Sequence, residues 1–206
     1  MLIADDDFIH RLKRLSGSRK IRKDAAVFYE HIAGLFGKED DIRRIESTKP
    51  GLPAVHCFFY KDMPEPGALT MVTYGISEAT HPDWKQGRPE LVVSLDSEDM
   101  AWGMAAAYMA EAARGEFAFA YGQVLNFDQS ISEESPMSAF FLFAPSFLSG
   151  EQAKLTLSTK TVFLYGAYPL HPGETEFIER VGLEKFWHLP GFDLYDVRRP
   201  DLSKIT

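Results

Sequence analysis

The apolar positions of this chain change period along its length. Phe8, Leu12 and Leu15 fall at helical spacing. Phe28, Ile32, Leu35 and Phe36 do so more clearly, with Gly37 as a stop, so two amphipathic helices are predicted at the start. Pro50, Gly51 and Pro53 punctuate the chain. Strands are then predicted over residues 54–60 and 69–76, paired as a hairpin through a long turn containing Pro64, Pro66 and Gly67, with a third over 90–95. Asp96, Ser97, Glu98 and Asp99 place acids at the positive end of a helix over 100–114, which Gly115 ends. That helix is apolar nearly all round, so it is expected to lie buried against the sheet. Further strands are expected over 119–125, 137–143, 161–168 and 192–197, with a short helix at Glu174–Val181 stopped by Gly182. Strands outnumber helices and βα alternation is weak. The expected class is α+β: a mixed, mainly antiparallel sheet covered by helices on one side, as a single domain over 1–206 with 1–44 a helical N-terminal segment.

A hydrophobic fraction of 45% and an aromatic fraction of 13% can supply a substantial core and argue against disorder. No apolar run reaches the roughly 18 residues of a membrane span. The opening MLIADDDFIHRLKR puts its acids before its bases and lacks a signal peptide's apolar stretch. The lone Cys57 sits in the run Ala-Val-His-Cys-Phe-Phe-Tyr and is expected to be buried and inert. These features point to the cytoplasm. The net charge is −8 and uneven: residues 1–44 hold 10 Lys/Arg against 8 Asp/Glu, a net of +2, and the remainder holds 12 against 22, a net of −10. An acidic body repels nucleic acid and suits either a basic partner or plain solubility. The basic stretch from Arg11 to Lys23 is flanked by Asp5, Asp6, Asp7 and Asp24, and reads as a solvated helix face.

No dinucleotide or phosphate-binding glycine loop, Cys-x-x-Cys pair, nucleophile elbow or His-Glu-x-x-His occurs. The six histidines are scattered, which signals no transition metal, and no cofactor is implied. The nearest approach to a site is His171-Pro-Gly-Glu174-Thr-Glu176, which has the groups to hold a metal or move a proton. The simpler reading is a turn whose glutamates favour the helix start. The loop His81-Pro-Asp-Trp84 offers a large ring either to a contact surface or back to the core.

Four stretches in one order resemble the suppressor-of-fused family. They are Thr73-Tyr-Gly-Ile-Ser77-Glu78 and Arg88-Pro-Glu90-Leu91, then Thr161 to Leu170 with Glu174–Glu176 after it, and last Asp196-Val-Arg198-Arg199. The resemblance implies an α/β domain on a mixed sheet with no established catalytic residues. Animal members add a second domain and sequester a zinc-finger transcription factor, clamping a short peptide as an added strand. Bacterial single-domain members are read as immunity proteins that neutralise toxins of neighbouring cells, and a chain ending near its Arg-Arg motif suits that type. Where animal members carry a Gly-Asp-His turn, this chain has Gly122-Gln123-Val124, without the acid, and Tyr108 stands for the family's matching tyrosine. The animal partner is therefore not carried over. Tyr74, Trp84, Tyr108 and Gln123 are the candidate partner contacts. Gly75, Ser77, Arg88, Glu90, Glu174, Asp196, Arg198 and Arg199 are the candidate structural residues. Arg88 with Glu90, and Asp196 with Arg198, stand two apart on strand faces, where such charges pair across strands and fix register.

Two readings of function follow. The first is a non-catalytic binding module, of the immunity type, that binds and neutralises or sequesters a protein partner such as a basic toxin, with fast, salt-sensitive association. The alternative is a hydrolase-like enzyme whose dispersed His and Glu converge only in space. A deep pocket of converging His and Glu favours the enzyme; an exposed strand edge or shallow acidic surface favours binding.

Overall fold

The computed structural model describes residues 19–204. Helix α1 (Arg19–Phe36) leads into β1 (Asp41–Ile45), β2 (Val55–Lys61), β3 (Leu69–Tyr74), a 3-10 turn (Ile76–Glu78) and β4 (Arg88–Leu95). Helix α2 (Ala101–Ala113) is followed by β5 (Val124–Asn126), β6 (Ala139–Phe143), β7 (Lys154–Thr156) and β8 (Thr161–Leu170). Helices α3 (Glu174–Val181) and α4 (Leu183–Trp187) and a 3-10 turn (Leu202–Lys204) complete the order. The predicted helix at Phe8, Leu12 and Leu15 lies outside the described residues.

All eight strands form one mixed sheet, in the order β1-β2-β3-β4-β8-β6-β5, with β7 also on β8. Only β4 and β8 run parallel; the other pairings are antiparallel. Strand β8 is long enough to serve several neighbours. It pairs with β4 from Val162 to Gly166 on one side, and with β7 at Thr161–Phe163 and β6 at Gly166–Leu170 on the other.

The expected sheet class is present, but helices cover both faces of it. Side chains on a strand alternate between faces. In β2, Cys57 and Phe59 join a core with Trp102, Ala106 and Ala110 of α2, whereas Phe58 and Tyr60 join Phe28, Ile32 and Phe36 of α1. The stretch His-Cys-Phe-Phe-Tyr is apolar on both faces because both faces are covered. Gly103 sets the approach of α2: a Cβ there would lie 2.7 Å from the Phe59 ring and 2.8 Å from Met71 Cβ. Helices α3 and α4 cover Phe141, Tyr168 and Leu170 at the far end of the sheet. Cys57 is fully buried, and burial first, then the Glu90 charge, pushes its thiol up to about 12.

Two predicted strands are corrected. Of the span 119–125 only the last two residues are strand, as the start of Val124–Asn126. Phe119 takes φ 52°, and Gln123 donates its N–H to Ala120 O, so the chain turns before it can pair. Residues 192–197 are irregular. Asp193 Oδ1 accepts the N–H of Tyr195 at 2.9 Å, and Asp196 Oδ1 that of Arg198 at 2.7 Å. Such aspartate turns compete with a sheet ladder. The predicted helical segment also ends sooner, because residues 41–45 form edge strand β1 with Arg43 and Arg44 exposed. No described helix is long and apolar enough to cross a membrane.

His56 of β2 stands between Arg44 of β1 and Tyr74 of β3. Burial first, and the Arg44 charge second, lower its pKa to about 4. The unfolded chain therefore takes up the proton first, near pH 6.5. Stability from this site is complete above that pH, falls as pH drops from 6.5 towards 4, and levels off below. The slope is at most about 1.4 kcal/mol per pH unit. His56→Gln is expected to lose less stability than the parent between pH 7 and 5 in urea titrations; parallel losses would assign the acid sensitivity elsewhere.

Candidate functional site

The ladder between β3 and β4 ends at Val72–Val92. Beyond it, Thr73 Oγ1 accepts the Leu91 N–H at 2.8 Å and donates to Glu90 Oε2 at 2.7 Å. Glu90 is fully buried and also accepts the N–H groups of Gly75 (2.8 Å) and Ser77 (3.0 Å). The carbonyls of the same turn are taken by two arginines. Arg114, at the end of α2 and fully buried, donates to Gly75 O at 2.7 Å, Pro53 O at 2.6 Å and Ser47 Oγ at 2.7 Å. Arg88 donates to Ser77 O at 2.9 Å and Ala79 O at 3.0 Å. Arg88 and Glu90 thus do not pair with charges on another strand. They grip one backbone turn, one by its C=O groups and the other by its N–H groups. Burial pushes the Glu90 pKa up against the hydrogen bonds that lower it, and burial lowers that of Arg114 against Glu111 and Glu90.

Gly75 has φ +134°, and a Cβ on it would lie 2.7 Å from Ala54 O. Gly75→Ala combines left-handed strain with a backbone clash, and is expected to destabilise the fold by about 2–3 kcal/mol. Urea denaturation measures this; an unchanged midpoint would show that the turn is not held as described.

A second buried carboxylate closes the C-terminal region. Glu174, at the start of α3, receives both Arg199 guanidinium nitrogens, at 2.5 and 2.7 Å. It also accepts the N–H groups of His171 (2.9 Å) and Leu202 (3.0 Å). His171 Nε2 lies 3.0 Å from Arg199 O. The His171–Glu174 pair is therefore occupied in holding the chain's end, and Glu176 is exposed. Asp196 and Arg198 are not on a strand. Asp196 forms its own turn, while Arg198 donates to Glu134 Oε2, whose other oxygen accepts the Trp102 Nε1–H at 2.8 Å. Arg199→Met leaves Glu174 charged, buried and unpaired, and is expected to cost about 3–5 kcal/mol. Adding Glu174→Gln is expected to restore part of that loss in a double-mutant cycle; additive losses would contradict the pairing.

A surface cleft of about 410 Å³ is lined by Asp83, Trp84, Lys85, Gln86, Gly87, Ala118, Ala120, Tyr121, Phe163 and Tyr165. Loop 83–87 forms one wall, turn 118–121 another, and the outward residues of β8 the floor. Trp84 is fixed by its Nε1–H to Ala118 O at 2.5 Å and packs partly on the core. Trp84 lines the cleft and leans on the core. Tyr121 is 51% exposed, with its ring centroid 4.8 Å from Tyr165 and 5.2 Å from Phe143. Phe119, between two lining residues, is fully buried at positive φ. A bulky residue in that region is strained. Gln123 shapes the same turn, its Oε1 accepting the Ala120 N–H at 2.6 Å.

The other two contact candidates are not here. Tyr74 is 5% exposed, its ring 4.8 Å from Phe28 and its hydroxyl on Glu78 Oε1 at 2.9 Å, so it is a core residue and is corrected as a contact. Tyr108 is 57% exposed on the outer face of α2. The cleft residues missed in the sequence are Tyr121, Phe163 and Tyr165. For Phe163 and Tyr165 the only signal is that β8 is apolar at both alternating sets of positions; Tyr121 has none.

The cleft lining holds neither His nor Glu. His31, His171 and His188 each place a ring nitrogen on a backbone carbonyl. Among the described residues no three His, Cys, Asp or Glu side chains come together as a metal site.

The family model for Suppressor of fused protein (SUFU) matches residues 51–200. The chain belongs to the suppressor-of-fused family. That span contains Glu90, Arg114, Glu174 and Arg199 together with the cleft. No curated protein matches the chain. Among solved structures, a suppressor-of-fused homologue from Neisseria gonorrhoeae is 18% identical, with a TM-score of 0.65 over 88% of this chain and 97% of its own. Drosophila Suppressor of Fused is 11% identical, with a TM-score of 0.62 over 86% of this chain and 50% of its own. A chain of the Sufu-Fu complex is 13% identical, with a TM-score of 0.59 over 89% of this chain and 93% of its own. At these identities the likeness establishes a shared suppressor-of-fused fold.

Proposed function

We propose that this suppressor-of-fused protein is a non-catalytic, cytoplasmic binding module of the immunity type, which sequesters a protein partner such as a basic toxin through the aromatic cleft and the neighbouring edge of the sheet. The observation that carries this reading is the cleft: exposed Tyr121, fixed Trp84 and strand residues Phe163 and Tyr165 around about 410 Å³, with no His or Glu among them. Rigid aromatic rings beside open space are what protein interfaces use as anchors. The two ends of the sheet support the same face. Edge strand β1 carries exposed Arg43 and Arg44, paired with Asp41 and Glu46, and such charges discourage strand addition. Edge strand β5, Val-Leu-Asn, has no charge and starts three residues after Tyr121. A partner segment laid along β5 would pass Gln123 and the Tyr121 ring. A chain of the same fold is part of the Sufu-Fu complex. The net −10 of residues 45–206 favours a basic partner, which it attracts over a Debye length of about 8 Å at physiological salt.

The test is quantitative capture from native cells by the parent protein and by Trp84→Ala and Tyr121→Ala, each checked for an unchanged melting curve. The true partner is expected on the parent and depleted on both variants. Affinity should fall at least tenfold, as for a hot-spot ring worth about 2 kcal/mol. Association should slow as salt rises. Partners retained equally by all three proteins would remove the cleft from the interface, and salt-independent association would remove its electrostatic part.

A further inference from the structure

Strand β1 is one end of the sheet. Among the described strands it pairs with β2 alone, so the backbone N–H and C=O groups along its outer side have no strand on them. Asp40 carries the ladder one residue back, with its N–H on Phe59 O at 2.8 Å. The residues along this edge are Asp40-Asp41-Ile42-Arg43-Arg44: two acids, an isoleucine and two bases. Their charges cancel, on a protein of net charge −8. They are open to a neighbour: the Arg43 and Arg44 side chains are 55% and 51% exposed, and Asp40 is exposed. Arg43 already lies 2.6 Å from Asp41, two positions away on the same face of the strand. Charges on an edge oppose the addition of another strand unless that strand answers each of them with the opposite sign.

We infer that β1 is a self-association edge, along which a second copy of this chain adds its own β1 antiparallel about a twofold axis at Ile42. The order of the charges selects this occupant. Paired antiparallel with itself about Ile42, the segment sets Asp41 opposite Arg43 of the other copy, and Arg43 opposite Asp41. Asp40 and Arg44 meet in the same way one position further out, and the two Ile42 residues stand opposite each other. Residues directly opposite in an antiparallel pair share a face, with Cβ atoms about 4.5–5.5 Å apart, so opposite charges there attract. Asp41 and Arg43 of the two copies form a square of alternating sign, in which each keeps its own partner and gains a second. A twofold axis at Arg43 or at Asp41 would instead set that residue against its own copy, so the charges also fix the register. A twofold contact requires a surface that is its own complement, and this order of residues is one. A wholly basic or wholly acidic segment answers half of these charges and is repelled by the rest. The contact lies at the opposite end of the sheet from β5, so it stands whether or not the cleft binds a partner.

The full chain is measured by sedimentation velocity from about 1 to 100 µM, where a concentration-dependent dimer is expected. Asp41→Lys and Arg43→Glu, each melting as the parent does, set like charges opposite one another and are each expected to weaken the dimer at least tenfold. Mixed in equal amounts, the two variants are expected to pair again. The substituted positions then meet with opposite signs across the axis, and the native Arg43 of one variant meets the native Asp41 of the other. A role of these residues in the fold alone would give no recovery on mixing. A covalent test is independent of charge. Residue 42 faces itself across the axis within reach of a disulfide, whereas the two copies of residue 46 lie roughly 26 Å apart at about 3.3 Å per residue. Cys57 is fully buried, with its thiol pushed up to about 12, so an introduced surface thiol is the reactive one. Under mild copper-phenanthroline oxidation Ile42→Cys is expected to give a disulfide-linked dimer, and Glu46→Cys is not. A monomer at every concentration overturns the inference. So does a dimer that keeps its strength in both charge variants, a mixture that pairs no better than either variant alone, or a cross-link at residue 46 and not at 42.

Discussion

The structure depends first on the burial of one carboxylate. Glu90 lies between two strands where their ladder stops, and its oxygens replace the missing strand partner for the backbone of residues 75–77. A carboxylate so placed is costly unless donors surround it, and here the donors are the backbone groups that would otherwise be orphaned. Arg114 completes the arrangement from the opposite side by taking the Gly75 carbonyl. It also reaches Pro53 and Ser47, so the turn after β3, the segment before β2 and the end of α2 meet on one guanidinium. Hydrophobic contact sets the distance of α2 from the sheet, but it is non-directional. The directional bonds of Arg114 and Glu90 fix where along the sheet the helix ends.

Glu174 repeats the device at the other end of the molecule. There the carboxylate joins the turn after β8 to the returning chain through Arg199 and the N–H groups of His171 and Leu202. In both places an acid takes backbone donors that no strand or helix uses, and an arginine holds the same neighbourhood. Asp24, nearly fully buried on α1, follows the rule without an arginine: Ser158 and Thr159 hydroxyls and the Ser158 N–H bind it, and fasten α1 to the turn between β7 and β8. Side chains that look like surface charges in the sequence are therefore ties between elements distant along the chain.

That is why the sequence is legible in some places and not in others. Glu174–Val181 is readable because acids at its start, an apolar face and a terminal glycine all act locally. Helix α2 is readable from its length and its lack of polar positions. Strand β1 is hidden because an edge strand carries charges, here Arg43 and Arg44, that break the apolar pattern. Helix α4 is hidden because Gly182 ends α3 and begins α4 at once. The alternation Phe-Asp-Leu-Tyr-Asp-Val imitates a strand, but each aspartate bends the backbone by accepting an N–H beyond it. Arg88 and Glu90 stand out as a unit, and their common target, a backbone turn, has no signature in sequence. Of the cleft, only Trp84 is visible, since it stands on a loop. Tyr121 lies in a turn created by the left-handed Phe119, and Tyr165 lies in a strand whose two faces look alike.

The cleft and the buried ties are mechanically connected. Loop 80–87 is held at one side by Arg88 on the carbonyls of Ser77 and Ala79, and near its middle by the Trp84 indole on Ala118. Turn 118–121 follows directly from the end of α2, which Arg114 pins. Both walls therefore rest on the same few buried polar groups, and the ordering of the rings is settled by folding before any partner arrives. A preorganised wall loses little entropy on binding, so rings mounted this way retain more of their contact energy as affinity. The same connection separates two kinds of change. Substitutions at Lys85 or Tyr121 alter what the cleft presents while leaving the ties intact, whereas one at Trp84 also removes the hydrogen bond to Ala118. Substitutions at Glu90, Arg114 or Gly75 move the walls themselves.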